Sequence, residues 1–219
     1  MAATEIQAIH KPLYRWDTYI WIRQISPLIW RRLLVRSDST LADLHHAIQI
    51  AFSWTHFHLH RFHIHGQDYG INRTGGLFFS ADARDLHLSQ FGFRRNERFL
   101  YEYDFGDLWQ HEVRVEQTLP IDAKKTYPVC TDGQRAAPPE DCGEPLVFIE
   151  RRERVPWEID EQLWQILEGV RKGDVVAARD RLEVILPLRE WLRLDQFDRR
   201  AVNRRLKQYA TGDEQWLDE

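Results

Sequence analysis

Phe99-Leu-Tyr-Glu-Tyr-Asp-Phe-Gly-Asp-Leu-Trp-Gln-His111 is the stretch from which the architecture can be read. Phe99, Tyr101 and Tyr103 alternate with other residues, which is the period of a β-strand. A tight acidic turn follows at Asp104-Phe-Gly-Asp107, with Gly106 expected to supply the positive φ that such a turn needs. Alternation then resumes, with His111, Val113 and Val115 on one face and Glu112, Arg114 and Glu116 on the other. The spacing predicts a β-hairpin over about 99–117 that carries two carboxylates at its tip and a histidine on its inward face.

Outward from the hairpin, Tyr14 to Ile25 reads as a strand broken by Ser26-Pro27, and Trp30 to Val35 as a second. Thr40, with Asp43 three residues on, has the form of a capping box. It opens a helix whose buried stripe is Leu41, Leu44, Ile48 and Ala51 and whose end is Ser53-Trp54. Phe57 to His65 is the next strand, and Gly66, Gly70 and Gly75-Gly76 mark loops. From Leu119 to Pro145 no periodicity survives, which predicts an ordered loop. Helices are expected after Pro156, with Ile159, Leu163, Ile166 and Val170 as one stripe and Gly173 as a C-cap. Val175, Leu182 and Ile185 form a second stripe. Asp198 caps a last helix that buries Val202, Leu206 and Tyr209.

Strands first and helices later give an α+β class. A mixed or antiparallel sheet carries a packed helix and an aromatic hairpin, followed by a helical C-terminal part. Residues 1–150 read as the α+β core domain and 151–219 as a helical extension packed on it.

Composition bounds the function. Of 219 residues, 43% are hydrophobic and 9 are Trp, which excludes a disordered chain. With 30 Lys plus Arg against 34 Asp plus Glu the net charge is −4, so a basic footprint for nucleic acid can only be local. No apolar run approaches the roughly 20 residues that span a bilayer, so no membrane partner is expected. Met1 to Gln7 lacks the basic start and apolar core of a signal peptide, and a cytoplasmic location is expected. Nothing in the chain sets an oligomeric state.

Ten histidines are present, and all but His10 lie between His45 and His111. On a strand His56, His58 and His60 share a face, with Cα atoms about 6.5 Å apart at successive positions. His58 and His60 could then give two ligands to a divalent transition metal such as Zn, with His111 and Asp107 completing about four. Asp104 or Asp107 would orient water or act as base. The competing structural reading has the histidines stacked on the many aromatic rings and the aspartates serving only the turn. His45 and His46, adjacent on a helix, face different ways.

Cys130 and Cys142, twelve positions apart with no Cys-x-x-Cys pair, read as free thiols or as weaker metal ligands. Pro138 and Pro139 stiffen the backbone at Glu140 and Asp141, which could present a carboxylate but more simply suits the packing of an ordered loop. Arg200, Arg204 and Lys207 recur at helical spacing and form a stripe that could track phosphates, while Arg151, Arg152 and Arg154 form a second basic patch. The acidic end at Asp213, Glu214, Asp218 and Glu219 offsets the stripe.

These residues together resemble the plasmid pRiA4b ORF-3-like family. The first block is Leu44-His45, Ile48-Gln49, Phe52-Ser-Trp54 and His58-Leu-His60-Arg-Phe62. The second is Tyr103-Asp104-Phe-Gly106-Asp107-Leu-Trp109-Gln-His111. The third runs from Tyr127-Pro-Val-Cys130 through Gly133 and Arg135 to Pro138-Pro139-Glu140-Asp141-Cys142-Gly143. The fourth is Phe197-Asp198, Val202-Asn203 and Leu206. The resemblance covers about Tyr14 to Leu206. It implies an α+β domain found on plasmids, bacterial chromosomes and mobile elements, including TnpR-like passenger proteins of insertion sequences, with no biochemical activity attached. Many members have a further cysteine where this chain has Ala137, and a Gly-Gly with a Gly-Tyr soon after where it has Gly143-Glu144-Pro145-Leu146. A site built on loop cysteines would be crippled here.

The leading expectation is therefore a non-catalytic binding or accessory protein associated with mobile DNA, its partner a nucleic acid or another protein. The alternative is a metal-dependent, hydrolase-like enzyme working through His58, His60, His111 and the aspartates of the hairpin tip.

Overall fold

The structure, a computed structural model, describes residues 13–73 and 77–217. The expectations for Met1 to Gln7, His10, Gly75-Gly76, Asp218 and Glu219 lie outside the described residues.

Among the described residues, seven antiparallel strands form one sheet. They are β1 (Tyr14–Ile22), β2 (Trp30–Arg36), β3 (His60–Ile64), β4 (Gln67–Tyr69), β5 (Glu97–Tyr103), β6 (Trp109–Pro120) and β7 (Val129–Gln134), in the order β4-β3-β5-β6-β1-β2-β7. The α+β expectation holds. The aromatic hairpin is β5–β6, in register from Glu97↔Val115 to Tyr103↔Trp109. Its alternation points Phe99, Tyr101, Tyr103, Trp109, His111, Val113 and Val115 to one buried face, continued by Trp16, Ile20 and Ile22 of β1 and Phe62 and Ile64 of β3.

Helix α1 (Leu41–Phe52) lies on that face. The capping box is present: Asp43 N–H donates to Thr40 Oγ1 at 3.0 Å, and Thr40 N–H donates to Asp43 Oδ2 at 2.7 Å. The helix ends at Ser53, whose φ of 57° turns the chain into Trp54. The opposite sheet face carries Tyr19, Trp21 and Trp30 interleaved with Arg32, Arg98 and Arg114, which lie over those rings. Arg32 pairs with Glu116 at 2.9 Å and Arg98 with Glu112 at 2.7 Å, so charges of opposite sign meet across this face.

Helix α2 (Pro145–Lys172), helix α3 (Val175–Ile185), a 3-10 stretch (Leu186–Arg193) and helix α4 (Arg199–Thr211) complete the chain. Asp198 caps α4 as expected, and Val202 and Leu206 are buried. Asn203 joins α4 to β7 by accepting from Cys130 N–H and donating to Cys130 O, both at 2.8 Å. Tyr209 Oη donates to Asp43 Oδ1 at 2.6 Å and ties α4 to α1.

Several expectations are corrected. β1 stops at Ile22, short of Ile25. β3 runs from His60 to Ile64 and not from Phe57 to His65: its partner β5 ends at Tyr103, opposite His60, and the chain bends at His58. The stretch expected to be all loop holds β7, an edge strand whose Thr-Asp-Gly-Gln composition reads as a turn. α2 starts at Pro145 and runs through Pro156. Proline suits the first helical position, and inside the helix Pro156 forgoes one hydrogen bond while Phe148, Val155 and Ile159 hold the helix through burial. Of the predicted stripe only Ile159 is fully buried; Leu163 and Val170 are exposed, as are Val175 and Leu182 of the next. Gly106 does not have positive φ; Asp104 at 56° and Leu108 at 54° make the turn instead.

Candidate functional site

The end of α1, the hairpin tip and the double-proline loop meet at one place. Trp54 Nε1–H donates to Pro138 O at 2.9 Å. Thr55 donates twice to Glu140 Oε2, from its backbone at 3.0 Å and its hydroxyl at 2.6 Å, and Tyr103 Oη donates to Glu140 Oε1 at 2.7 Å. Both Glu140 oxygens are thus committed, and they fix the loop that ends in Asp141. Burial and the Glu140 hydrogen bond push the Tyr103 hydroxyl pKa well up, so it stays a donor.

His58 sits between two carboxylates on this frame. Its Nδ1 lies 3.6 Å from Asp104 Oδ2 and its Nε2 lies 3.3 Å from Asp141 Oδ1. Among the described residues, His58, Asp104 and Asp141 form a group whose ligand atoms all lie within 4.8 Å of one another. Asp104 is largely buried and its Oδ1 accepts from Gly106 N–H at 3.0 Å, which leaves Oδ2 facing His58. Asp141 is 79% exposed and opens the group to solvent.

Asp107 lies beside the group and accepts from Gly143 N–H at 3.1 Å. Burial, reinforced by the charges of Asp104 and Asp141, raises its carboxyl pKa, against the opposing pull of the Gly143 N–H and His58. His56, Asp104, Leu108 and Asp141 all have φ of 54–56°, a left-handed conformation uncommon outside glycine and, of these four, most costly for Leu.

The structure divides the histidine set read from the sequence. Only His58 reaches the carboxylates. His60, the first residue of β3, points into the core and stacks on His45 with ring centroids 3.6 Å apart. Burial, helped by Arg73 and the neighbouring His46 and His56, lowers its pKa to about 3. His111 is completely buried, with Phe52, Trp54 and Tyr101 centroids 4.9, 5.1 and 5.4 Å away. Neither of its ring nitrogens makes a hydrogen bond of normal geometry, and burial holds its pKa down to about 3. His60 and His111 are thus buried among aromatic rings, apart from the carboxylates that face His58.

Cys130 and Cys142 are free, buried thiols, pushed up to about 11 and about 12 by burial, and neither joins the group. Asp141 as a metal-ligand candidate was missed, since its contact with His58 spans 83 residues of chain. The signal for it was the stiff Pro138-Pro139 pair ahead of two carboxylates.

On α4 the predicted stripe is real as a surface. Arg200, Arg204 and Lys207, with Arg199, line an exposed hollow of about 520 Å³ against Val129 and Thr131 of β7. The second basic patch is engaged within the fold: Arg151 lies over Trp191, Arg152 donates to Ser26 O and Arg154 pairs with Glu158. No helix among the described residues is long and apolar enough to cross a membrane.

The family model described as plasmid pRiA4b ORF-3-like protein matches residues 17–169, the stretch that contains the whole site. The chain is 29% identical over 160 residues to the "Uncharacterized protein y4hQ" of Sinorhizobium fredii (strain NBRC 101917 / NGR234), covering 73% of this chain and 82% of that protein. It is also similar to the crystal structure of "Protein of Unknown Function MM3350 from Methanosarcina mazei Go1". That match has a TM-score of 0.61 and 34% identity, and covers 71% of this chain and 91% of that one.

Proposed function

We propose that this chain, which belongs to the plasmid pRiA4b ORF-3-like family, is a binding protein that holds a divalent transition-metal ion between His58, Asp104 and Asp141. The observation that carries the reading is the meeting of three ligand atoms within 4.8 Å on turns held in left-handed conformations. One imidazole and two carboxylates suit zinc, and three protein ligands leave a fourth position open. A single imidazole nitrogen can bind the ion, so one of the two His58 contacts opens on loading.

Elemental analysis of untagged protein tests the reading. Near-stoichiometric zinc, manganese or iron in the wild type, lost in His58→Ala and in Asp104→Asn but kept in His111→Phe, is the expected pattern. A wild type without bound metal after purification and after zinc titration removes it.

A second reading makes the metal catalytic. Asp107 favours it, because its carboxylate stands in the same turn outside the ligand group and could take a proton from metal-bound water. Hydrolysis of phosphate or carboxylic esters by the zinc-loaded protein, lost in Asp107→Asn with zinc retained, would establish it. An accessory role at mobile DNA draws its support from the α4 hollow. There, salt-dependent DNA binding should weaken when Arg200 and Arg204 become Ala.

A further inference from the structure

Arg31 is 2% exposed, and no carboxylate among the described residues forms an ion pair with it. Its guanidinium is held between two phenyl rings, with its carbon 4.8 Å from the Phe52 centroid and 4.0 Å from that of Phe197. Nε–H donates to Ala51 O at 2.7 Å, and Nη1 donates to Trp30 O at 2.8 Å and Gln134 O at 3.0 Å. Among the described residues Nη2 finds no hydrogen-bond partner, and it is not sealed from solvent. A buried cation is ordinarily paired, because an uncompensated charge in a low-dielectric setting is costly. Neutral carbonyls and ring faces ease that cost without supplying the opposite charge.

Arg31 also lines a cavity of about 540 Å³ between the double-proline segment, the 3-10 stretch and the first turn of α4. Its walls are amphipathic: Pro138, Leu194, Phe197 and Val202 are apolar, and Arg189 and Arg193 stand in the lining. Of the three carboxylates there, Asp198 is engaged by the N–H groups of Arg200 and Ala201, and Glu140 by Thr55 and Tyr103; Glu190 is exposed. The cavity is of the size that takes small organic ligands. Gly133 keeps the assembly close: a Cβ there would stand 2.5 Å from the Phe197 ring and 3.0 Å from Arg31 Cδ.

We propose that this cavity is a binding site for a small organic anion, its carboxylate or phosphate accepting from Arg31 Nη2 and its apolar body lying against Leu194 and Phe197. The site is separate from the His58 group and does not depend on a metal there.

Calorimetric titration of the full chain with benzoate, phenyl phosphate and neutral benzyl alcohol tests it. Benzoate or phenyl phosphate should bind saturably, at least about tenfold more tightly than benzyl alcohol, since the charge is what Arg31 recognises. Which of the two binds better identifies the head group. Ala201→Leu, which fills the cavity from α4 and leaves Arg31 in place, should abolish binding with the circular dichroism spectrum unchanged. Arg193→Ala should weaken it several-fold. Binding to neither anion, equal binding of benzyl alcohol, or binding that survives Ala201→Leu would each overturn the assignment. Zinc content measured in the same samples keeps this outcome distinct from that of the His58 group.

Discussion

Replacing His111 with Phe should make the protein less sensitive to acid. In the native state His111 is held neutral, its pKa lowered to about 3 by burial, which outweighs the opposing pull of the Trp109 and Tyr101 backbone and is helped least by the charge of Arg31. In the unfolded chain the ring titrates near 6.5. Between these values the unfolded state binds a proton that the native state refuses. The stability contributed by a neutral His111 is therefore complete above about pH 6.5 and is lost as pH falls, at about 1.4 kcal/mol per pH unit. At pH 5 the loss is about 2 kcal/mol.

Phe fits the same cage of Phe52, Trp54 and Tyr101 and has no proton to bind. It also removes two ring nitrogens that make no hydrogen bond of normal geometry among the described residues, so it should be neutral or stabilising by about 1 kcal/mol at pH 7.5. Urea unfolding followed by tryptophan fluorescence reads the difference. With m about 2–3 kcal/mol/M, the midpoint gap between variant and wild type should widen by about 0.7–1 M from pH 7.5 to pH 5. A gap that stays constant with pH would refute the neutral-histidine argument. Some acid sensitivity will remain in the variant, because His60 stacked on His45 is likewise held neutral.

Asn203→Leu should cost about 2–3 kcal/mol in the same assay, because both backbone groups of Cys130 on the β7 edge lose their partner at once. Cys130 and Cys142 should resist a thiol reagent at pH 8 until guanidinium unfolds the chain, after which both should react; fast reaction of either in the native state would contradict their burial.

What the sequence made legible was local. The β5–β6 hairpin shows because its alternation is uninterrupted, and α1 shows because Thr40 and Asp43 satisfy each other within four residues. α4 shows because Asp198 precedes a clean stripe. β7 did not show, since an edge strand with one strand neighbour and a helix-borne Asn203 for the other needs no hydrophobic alternation. The start of α2 was hidden by Pro156, which reads as a boundary and is in fact carried inside the helix. The His58 group was half legible. Asp104 lies on the hairpin that the pattern gave, whereas parity along one assumed strand placed His58 with His60, and the chain at His58 bends before the strand begins at His60.

The interior position of β1, between β6 and β2, has a consequence for the chain as it is made. One side of β1 pairs with β2, which follows almost at once, but the other pairs with β6 in a register that reaches Tyr14↔Pro120. At about 5–20 residues per second, about 100 residues of synthesis leave that side open for about 5–20 s. During that interval the nascent hairpin offers an unpaired edge with Ile20 and Ile22 along it, the kind of edge on which foreign strands pair. Asp17, Arg32 and Arg36 stand on the same ribbon, where charge discourages intermolecular pairing.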